Sequence, residues 1–162
     1  MHSGRLPSVL SSGIEMIIGI VGNEAAKFSR LGEVRARLVL RSLIDRPEVT
    51  EVVSGGCHLG GIDLWAIEIA KQFGKKWQEF RPRYHDWNTG YKPRNMKIAK
   101  ASDEVHCIVV DQLPKIYSGM VFEFCYHCKT KDHIKSGGCW TMHYAISKGK
   151  KGKLHIVKND PL

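Results

Sequence analysis

Long apolar runs are missing from this sequence. No stretch in its 162 residues approaches the roughly 20 that a helix needs to span a bilayer, so no membrane partner is expected. The apolar run nearest the start, residues 16–21, is too short for a secretory core and follows Glu15, and a cytoplasmic location is expected. Negative charge is scarce as well. Sixteen Asp and Glu face 25 Lys and Arg, a net charge of +9 that attracts nucleic acid, nucleotides or phosphorylated metabolites. Aromatic side chains are absent around Lys148, Lys150, Lys151 and Lys153, which excludes a single-strand stacking platform there and leaves a solvated face. A chain of this length forms one domain that buries most of its apolar surface without disulfides. Its five cysteines are an odd number, and the Cys125–Cys128 pair, two residues apart, suggests metal or redox chemistry in a reducing compartment.

Glycine is placed with more purpose. The string Ser54-Gly55-Gly56-Cys57-His58-Leu59-Gly60-Gly61-Ile62-Asp63 joins a short strand pattern, residues 51–53, to a helical segment, residues 64–71. Glycines at such a turn let the backbone approach an anion, and the unpaired N–H groups of the first helical turn then point at it. A second string, Ser136-Gly137-Gly138, opens the helical segment 140–147. Either one alone is explained by a tight connection; two, each led by Ser and each opening a helix, suggest a phosphate cradle.

Residues 1–15 lack periodicity and read as a mobile leader or an upstream translation start, with one domain over 16–162. Residues 16–21 read as a buried strand and Gly22-Asn23 as a turn. A helix is predicted over 25–44, with Leu31, Val34, Leu38, Val39 and Leu43 toward the core, Arg30, Arg35, Arg37 and Arg41 elsewhere, and Pro47 as the stop. Strands at 51–54 and 77–80 flank a helix over 62–73 closed by Gly74. The loop 81–91, with His85, Asp86, Trp87 and Gly90, is of the kind that contacts ligands. A helix from Pro93 to residue 101, a strand at 105–110, a helix at 140–147 and a strand at 154–157 complete the chain. Such alternation predicts an α/β, Rossmann-like fold: a mostly parallel sheet of about five strands with helices on both faces. Ligands then bind at the carboxyl ends of the strands, near the switch in strand order.

Cys125, Cys128, His133 and Cys139 are separated by two, four and five residues. Zinc takes four such ligands in a tetrahedron, and a closed set is structural. Residues 117–135 have little regular pattern, and a bound metal would order them and brace the Ser136 turn. His127 and His143 are alternative fourth ligands, reduced thiols the bland alternative, and a redox role for the Cys125 and Cys128 pair a third. Cys57 and Cys107 read as small apolar or loop residues.

Taken in order, Gly19-Ile20-Val21-Gly22, Ser54-Gly55-Gly56 with Gly61-Ile62-Asp63, Pro93-Arg94-Asn95 with Ala99 and Ala101-Ser102-Asp103, and Ser136-Gly137-Gly138 with Thr141 resemble the SLOG superfamily. That group of Rossmann-like domains takes in LOG-type phosphoribohydrolases, DprA and YspA-like nucleotide-binding proteins. The resemblance spans residues 16–157. It implies a pocket for a nucleotide or nucleotide-derived ligand, with Gly22, Asn23, Ser54, Gly55, Gly56, Gly60, Gly61, Ser136, Gly137, Gly138 and Thr141 around phosphate or ribose and Asp63, Arg94 and Asn95 lining the same space. LOG-type hydrolases place a glutamate just after the Gly-Thr of the second turn, whereas this chain has His143 or Tyr144 there. Glycoside hydrolysis needs a carboxylate at the oxocarbenium-like centre, so a non-catalytic binder is expected. The alternatives are a phosphoribohydrolase working through Asp63 or Glu123, and DprA-like nucleic-acid binding. A homo-oligomer is expected. Arg94 opposes the helix dipole if it starts a helix, which an anionic ligand or a surface ion pair would explain; Asp63 suits a helix start by itself.

Overall fold

Strand alternation sets two separate cores. In the computed structural model, which describes residues 15–160, β1 (Met16–Gly22) points Ile18 and Ile20 to one side and Val21 to the other. The first side packs α1 (Arg30–Ile44) and α2 (Ile62–Gln72), through Ala36, Leu40, Ile44, Trp65 and Ile69. The second packs α3 (Lys92–Ala101) and α4 (Gly137–Ser147), through Ile98, Ala99, Cys139, Met142 and Ala145. With β2 (Val49–Ser54), β3 (Lys76–Glu79), β4 (Glu104–Val110) and β5 (Lys151–Val157), the sheet runs β3-β2-β1-β4-β5. Every pairing is parallel. This is the Rossmann-like α/β fold expected, its five strands covered on both faces. The expected leader lies outside the described residues except for Glu15. Among the described residues no helix is long and apolar enough to cross a membrane.

Helix boundaries shift where a side chain competes for the backbone. The helix predicted over 25–44 is a 3-10 turn, Ala25–Lys27, followed by α1 proper. Ser29 Oγ accepts from Gly32 N at 2.9 Å, and Asn159 Oδ1 holds Ser29 from the far end of the chain at 2.8 Å. A satisfied N-cap fixes an extended residue there and restarts the helix. The buried face of α1 is Gly32, Ala36, Leu40 and Ile44, with Val39 and Leu43 alongside. Leu31, Val34 and Leu38 point to solvent instead. Hydrophobicity does not separate the two faces, because Leu40 and Ile44 are as apolar as Leu31 and Leu38; the four-residue spacing of Gly32, Ala36, Leu40 and Ile44 does.

The helix expected from Pro93 begins earlier. A π-helical turn, Trp87–Tyr91, capped by Asp86, which accepts from Thr89 N at 3.0 Å, runs directly into α3. Arg94 therefore lies inside a continuous helical segment, and the dipole argument for its placement falls. The capping carboxylate occupies the end the dipole favours. The last helix starts at Gly137, three residues before the expected 140, because Ser136 Oγ caps it by accepting from Gly138 N at 3.0 Å.

Candidate ligand cavity and metal centre

β1 and β4 are neighbours whose connections leave toward opposite faces, and a crevice opens above their carboxyl ends. A cavity of about 550 Å³ lies there. Two helix N-termini reach it. At the start of α2, Gly60 and Gly61 have φ of 76° and 85°, and a Cβ on Gly61 would stand 2.5 Å from Asn23 O and Ala25 N. Only glycine fits there. At the start of α4, a Cβ on Gly137 would meet nothing within 4 Å, so the backbone lies open to the cavity. Lys27 and Lys135 line the same space. Burial lowers the pKa of Lys27; Lys135 lowers it further and Glu24, at 3.6 Å, opposes the change. Lys27 and Lys135 beside two helix starts favour an anion there, although Glu24 pairs with Lys27, and the Ile62, Gly138 and Cys139 N–H groups are taken by Asn23 O, Ser136 Oγ and Ser136 O.

Asn23 is buried and staples the rim. Its Oδ1 accepts from Val110 N at 2.9 Å, and its Nδ2 donates to Lys135 O at 3.2 Å. Asp63 is also buried, and burial raises its pKa to about 6 against the opposing pull of Arg94 and of the Cys57 N–H at 3.3 Å. Arg94 donates to Gly55 O at 2.7 Å and to Asn95 Oδ1 at 2.7 Å, closing the floor of the cavity. Much of its hydrogen-bonding capacity is thus used by the fold itself.

The residues expected to contact ligand divide in two. Gly22, Asn23, Gly60, Asp63, Arg94, Asn95, Ser136, Gly137 and Gly138 line the cavity. Ser54, Gly55, Gly56, Gly61 and Thr141 stand behind it: Ser54 Oγ donates to Asp63 O at 3.1 Å, and a Cβ on Gly55 would stand 2.5 Å from the Arg94 guanidinium. Sequence reasoning missed Glu24, Lys27, His58, Tyr126, Lys135 and Trp140, all at the wall. Trp87 and Tyr91 come from the segment singled out as a ligand loop, and Trp87 packs edge-on against Trp140 at 5.2 Å. The missed signal is one of register: Lys27 and Lys135 sit close to a glycine turn, as phosphate ligands do.

The metal residues converge. The ligand atoms of Cys125, Cys128, His133 and Cys139 all lie within 4.8 Å of one another. Tetrahedral zinc with bonds of about 2.3 Å to sulfur separates its ligands by about 3.8 Å, so the donors are nearly in place. Cys139 Sγ is 3.7 Å from His133 Nε2. Asp132 Oδ1 sits 2.7 Å from His133 Nδ1, the carboxylate partner that orients a metal-binding imidazole. Cys125 and Cys128 flank a tight turn: Lys129 has φ 61°, Cys125 N donates to Thr130 O at 2.8 Å, and Cys128 N approaches Cys125 Sγ at 3.4 Å. Burial and the neighbouring thiols push the Cys128 pKa up, while Cys139 is raised chiefly by its contact with Cys107, 3.9 Å away, and then by burial. A bound cation is what lets such a cluster ionise. His143 Nε2 stands 3.3 Å from Cys128 Sγ, outside the set of four. As read, Cys57 is a loop residue, whose backbone N–H donates to Asp63 Oδ2, and Cys107 is a buried core residue, 3.9 Å from Cys139 Sγ.

No protein-family profile matches the sequence. No curated protein matches it either. Among solved structures, the molybdenum cofactor carrier protein of Chlamydomonas reinhardtii shares the fold, with a TM-score of 0.56 at 17% identity over 86% of this chain and 76% of that one. A second structure of that carrier gives 0.55 at 18% identity, over 92% and 79% of the two chains. DNA processing protein A of Streptococcus pneumoniae aligns at a TM-score of 0.43 and 18% identity, over 93% of this chain and 60% of that one. The likeness to the carrier is one of fold.

Proposed function

We propose that this protein binds a phosphorylated, nucleotide-derived small molecule in the cavity above β1 and β4, without turning it over, and that a structural zinc ion braces the α4 side. The observation carrying this reading is the convergence of the α2 and α4 N-termini with Lys27 and Lys135 on one cavity, where Gly137 leaves the backbone open. Trp87, Tyr91 and Trp140 supply apolar wall for a ring system. In the metal centre, Cys125, Cys128, His133 and Cys139 fill all four positions, leaving none for an activating water. Oxygen donors such as Asp132 stay in the outer shell, which favours zinc over magnesium or calcium.

A thermal-shift screen tests the ligand. Nucleoside mono- and diphosphates, ADP-ribose and the molybdenum cofactor, which the fold neighbour carries, are the compounds to compare. A ligand that binds only the folded chain at 100 times its Kd adds about 2.7 kcal/mol of stability, a shift of several degrees for a chain of this size. Absence of any shift across the set refutes the reading. The phosphoribohydrolase alternative keeps one supporting observation, the raised pKa of Asp63 at the cavity wall, and is tested by base release below. Nucleic-acid binding has only the net charge behind it, and predicts retention at physiological salt rather than steep loss.

A further inference from the structure

The segment between β4 and α4 exposes more large apolar side chains than any helix of the protein. Ile116 is 88% exposed, Met120 73% and Val121 61%, with Phe124 and Tyr126 about half exposed beside them. Their side chains expose on the order of 600 Å² in total, at the upper end of the largest apolar patch a monomer usually leaves uncovered. The segment is held in shape. Tyr117 N donates to Pro114 O at 3.1 Å, the Tyr117 hydroxyl reaches Met120 O at 3.4 Å, and Phe122 packs on Tyr126 at 6.0 Å between ring centres. Lys135 lies 4.3 Å from the Phe122 ring centre and 5.0 Å from that of Tyr126. A surface fixed in this way is presented without an ordering cost.

We propose that this segment is the contact between two copies of the chain, related by a two-fold axis. Doubling the patch gives about 1,200 Å², which clears the roughly 1,000 Å² expected of a specific interface. Its exposed charges between residues 115 and 126 are one of each sign, and Lys135 is half-buried against the Phe122 and Tyr126 rings. Lys115 and Glu123 are both exposed, and neither forms an ion pair among the described residues. An isologous contact lets Lys115 of one copy meet Glu123 of the other, twice. A strongly acidic or basic partner would leave one of them opposed. A bilayer would have to take in Glu123, which sits between Phe122 and Phe124 in the middle of the apolar run. The competing apolar stripe, Leu31, Val34 and Leu38 of α1, is flanked by Arg30, Arg35 and Arg41, so pairing it with itself brings arginines together.

Sedimentation velocity of the metal-replete full chain up to about 100 µM tests the interface. Wild type is expected to sediment as a dimer, and Val121→Asp as a monomer with unchanged metal content and far-UV circular dichroism. Lys115→Glu should weaken the dimer about tenfold, since two symmetry-related pairs are lost together. Combining it with Glu123→Lys should restore the affinity. Four results overturn the proposal: a wild type that stays monomeric across the range, a dimer indifferent to Val121→Asp, a dimer dissociated by Leu38→Asp alone, or a monomer that floats with anionic lipid vesicles. Failure of the double variant to recover the loss refutes the two-fold pairing. Tyr126 and Lys135 also line the cavity, so the variants are placed at Lys115, Val121 and Glu123, none of which lines it, and ligand binding is measured separately on each.

Discussion

Replacing Asp63 by asparagine is expected to make the unliganded protein more stable at neutral pH. Its carboxyl is 8% exposed, and burial moves its pKa from 3.8 to about 6 in spite of Arg94 and the Cys57 N–H. A carboxylate displaced that far withholds about 3 kcal/mol of stability at pH 7. Below 3.8 the group is protonated in both states and the difference vanishes. Between 3.8 and 6 the folded chain keeps a proton that the unfolded chain has lost, so stability falls as pH rises. Above 6 the whole cost is present. Asparagine removes the titration but gives Arg94 a weaker neighbour, which leaves an expected gain of about 1–3 kcal/mol at pH 7.

The wild-type pH curve alone does not isolate this effect. Burial, His106 and Lys153 lower the pKa of His155 from 6.5 to about 4. As pH falls from 6.5 toward 4, the unfolded chain takes up a proton there that the folded chain refuses, and stability falls. The two groups work against each other over nearly the same interval. Urea unfolding of wild type and Asp63→Asn should therefore be compared at each pH from 4 to 8. The difference should be small at pH 4 and climb to a plateau above pH 6.5. A flat difference, or one that declines with pH, refutes the assignment of a buried, strained acid at the cavity wall. A group that costs stability and persists at a cavity is what a ligand site maintains.

Metal removal should act locally, because Cys125 and Cys139 pack on the α3 and α4 side while the α1 and α2 core contains none of the four ligands. Chelation or Cys128→Ser is expected to expose residues 111–136 to protease with the sheet intact, and elemental analysis should find about one zinc per chain; less than half would refute the site. Gly137→Val should abolish the ligand-induced thermal shift while leaving the unliganded melting temperature almost unchanged, since its Cβ meets nothing; Gly22→Ala should destabilise, since its Cβ would strike Ile108 O. Incubation with nucleoside monophosphates should release no base above a buffer control. Robust release that Asp63→Asn abolishes would make the protein a phosphoribohydrolase.

Most of the sheet was legible because buried parallel strands are nearly continuous apolar runs, as in residues 16–21 and 105–110. The convergence of Cys125, Cys128, His133 and Cys139 was legible because their chemistry is rare and their spacing short. What was not legible depended on pairing between distant residues. Asn159, 130 positions from Ser29, decides where α1 starts, and no local pattern contains it. The Arg94 environment is set by carbonyls of Gly55 and Phe80, on segments that meet only when β2 and β3 pair. The glycines expected around a ligand differ in what a side chain there would meet. Gly55 and Gly61 make room for neighbouring protein atoms, whereas Gly137 faces open space. A glycine in a sequence reports that a side chain is excluded, and only the fold says whether protein or ligand excludes it.

The position of Cys139 joins the two halves of the site. It lies in the first turn of α4, two residues past Gly137, so a metal held by its thiolate would also fix the turn that opens at Gly137 on the cavity, where Ser136 already accepts from the Gly138 and Cys139 N–H groups. His133 precedes that turn by a few residues, and Lys135 between them points a cation into the same space. On the proposed reading, anion and metal order one short stretch of chain, and whichever binds first lowers the entropic cost of the second. Linkage makes the coupling reciprocal. Zinc-stripped protein should bind the phosphorylated ligand more weakly, and saturating ligand should raise the zinc affinity, read by equilibrium competition with a chelator, by the same factor. Ligand affinity that is the same with and without zinc would mean that the α4 turn is held by the Ser136 cap and Asn23 alone, and that the metal serves only the outer segment.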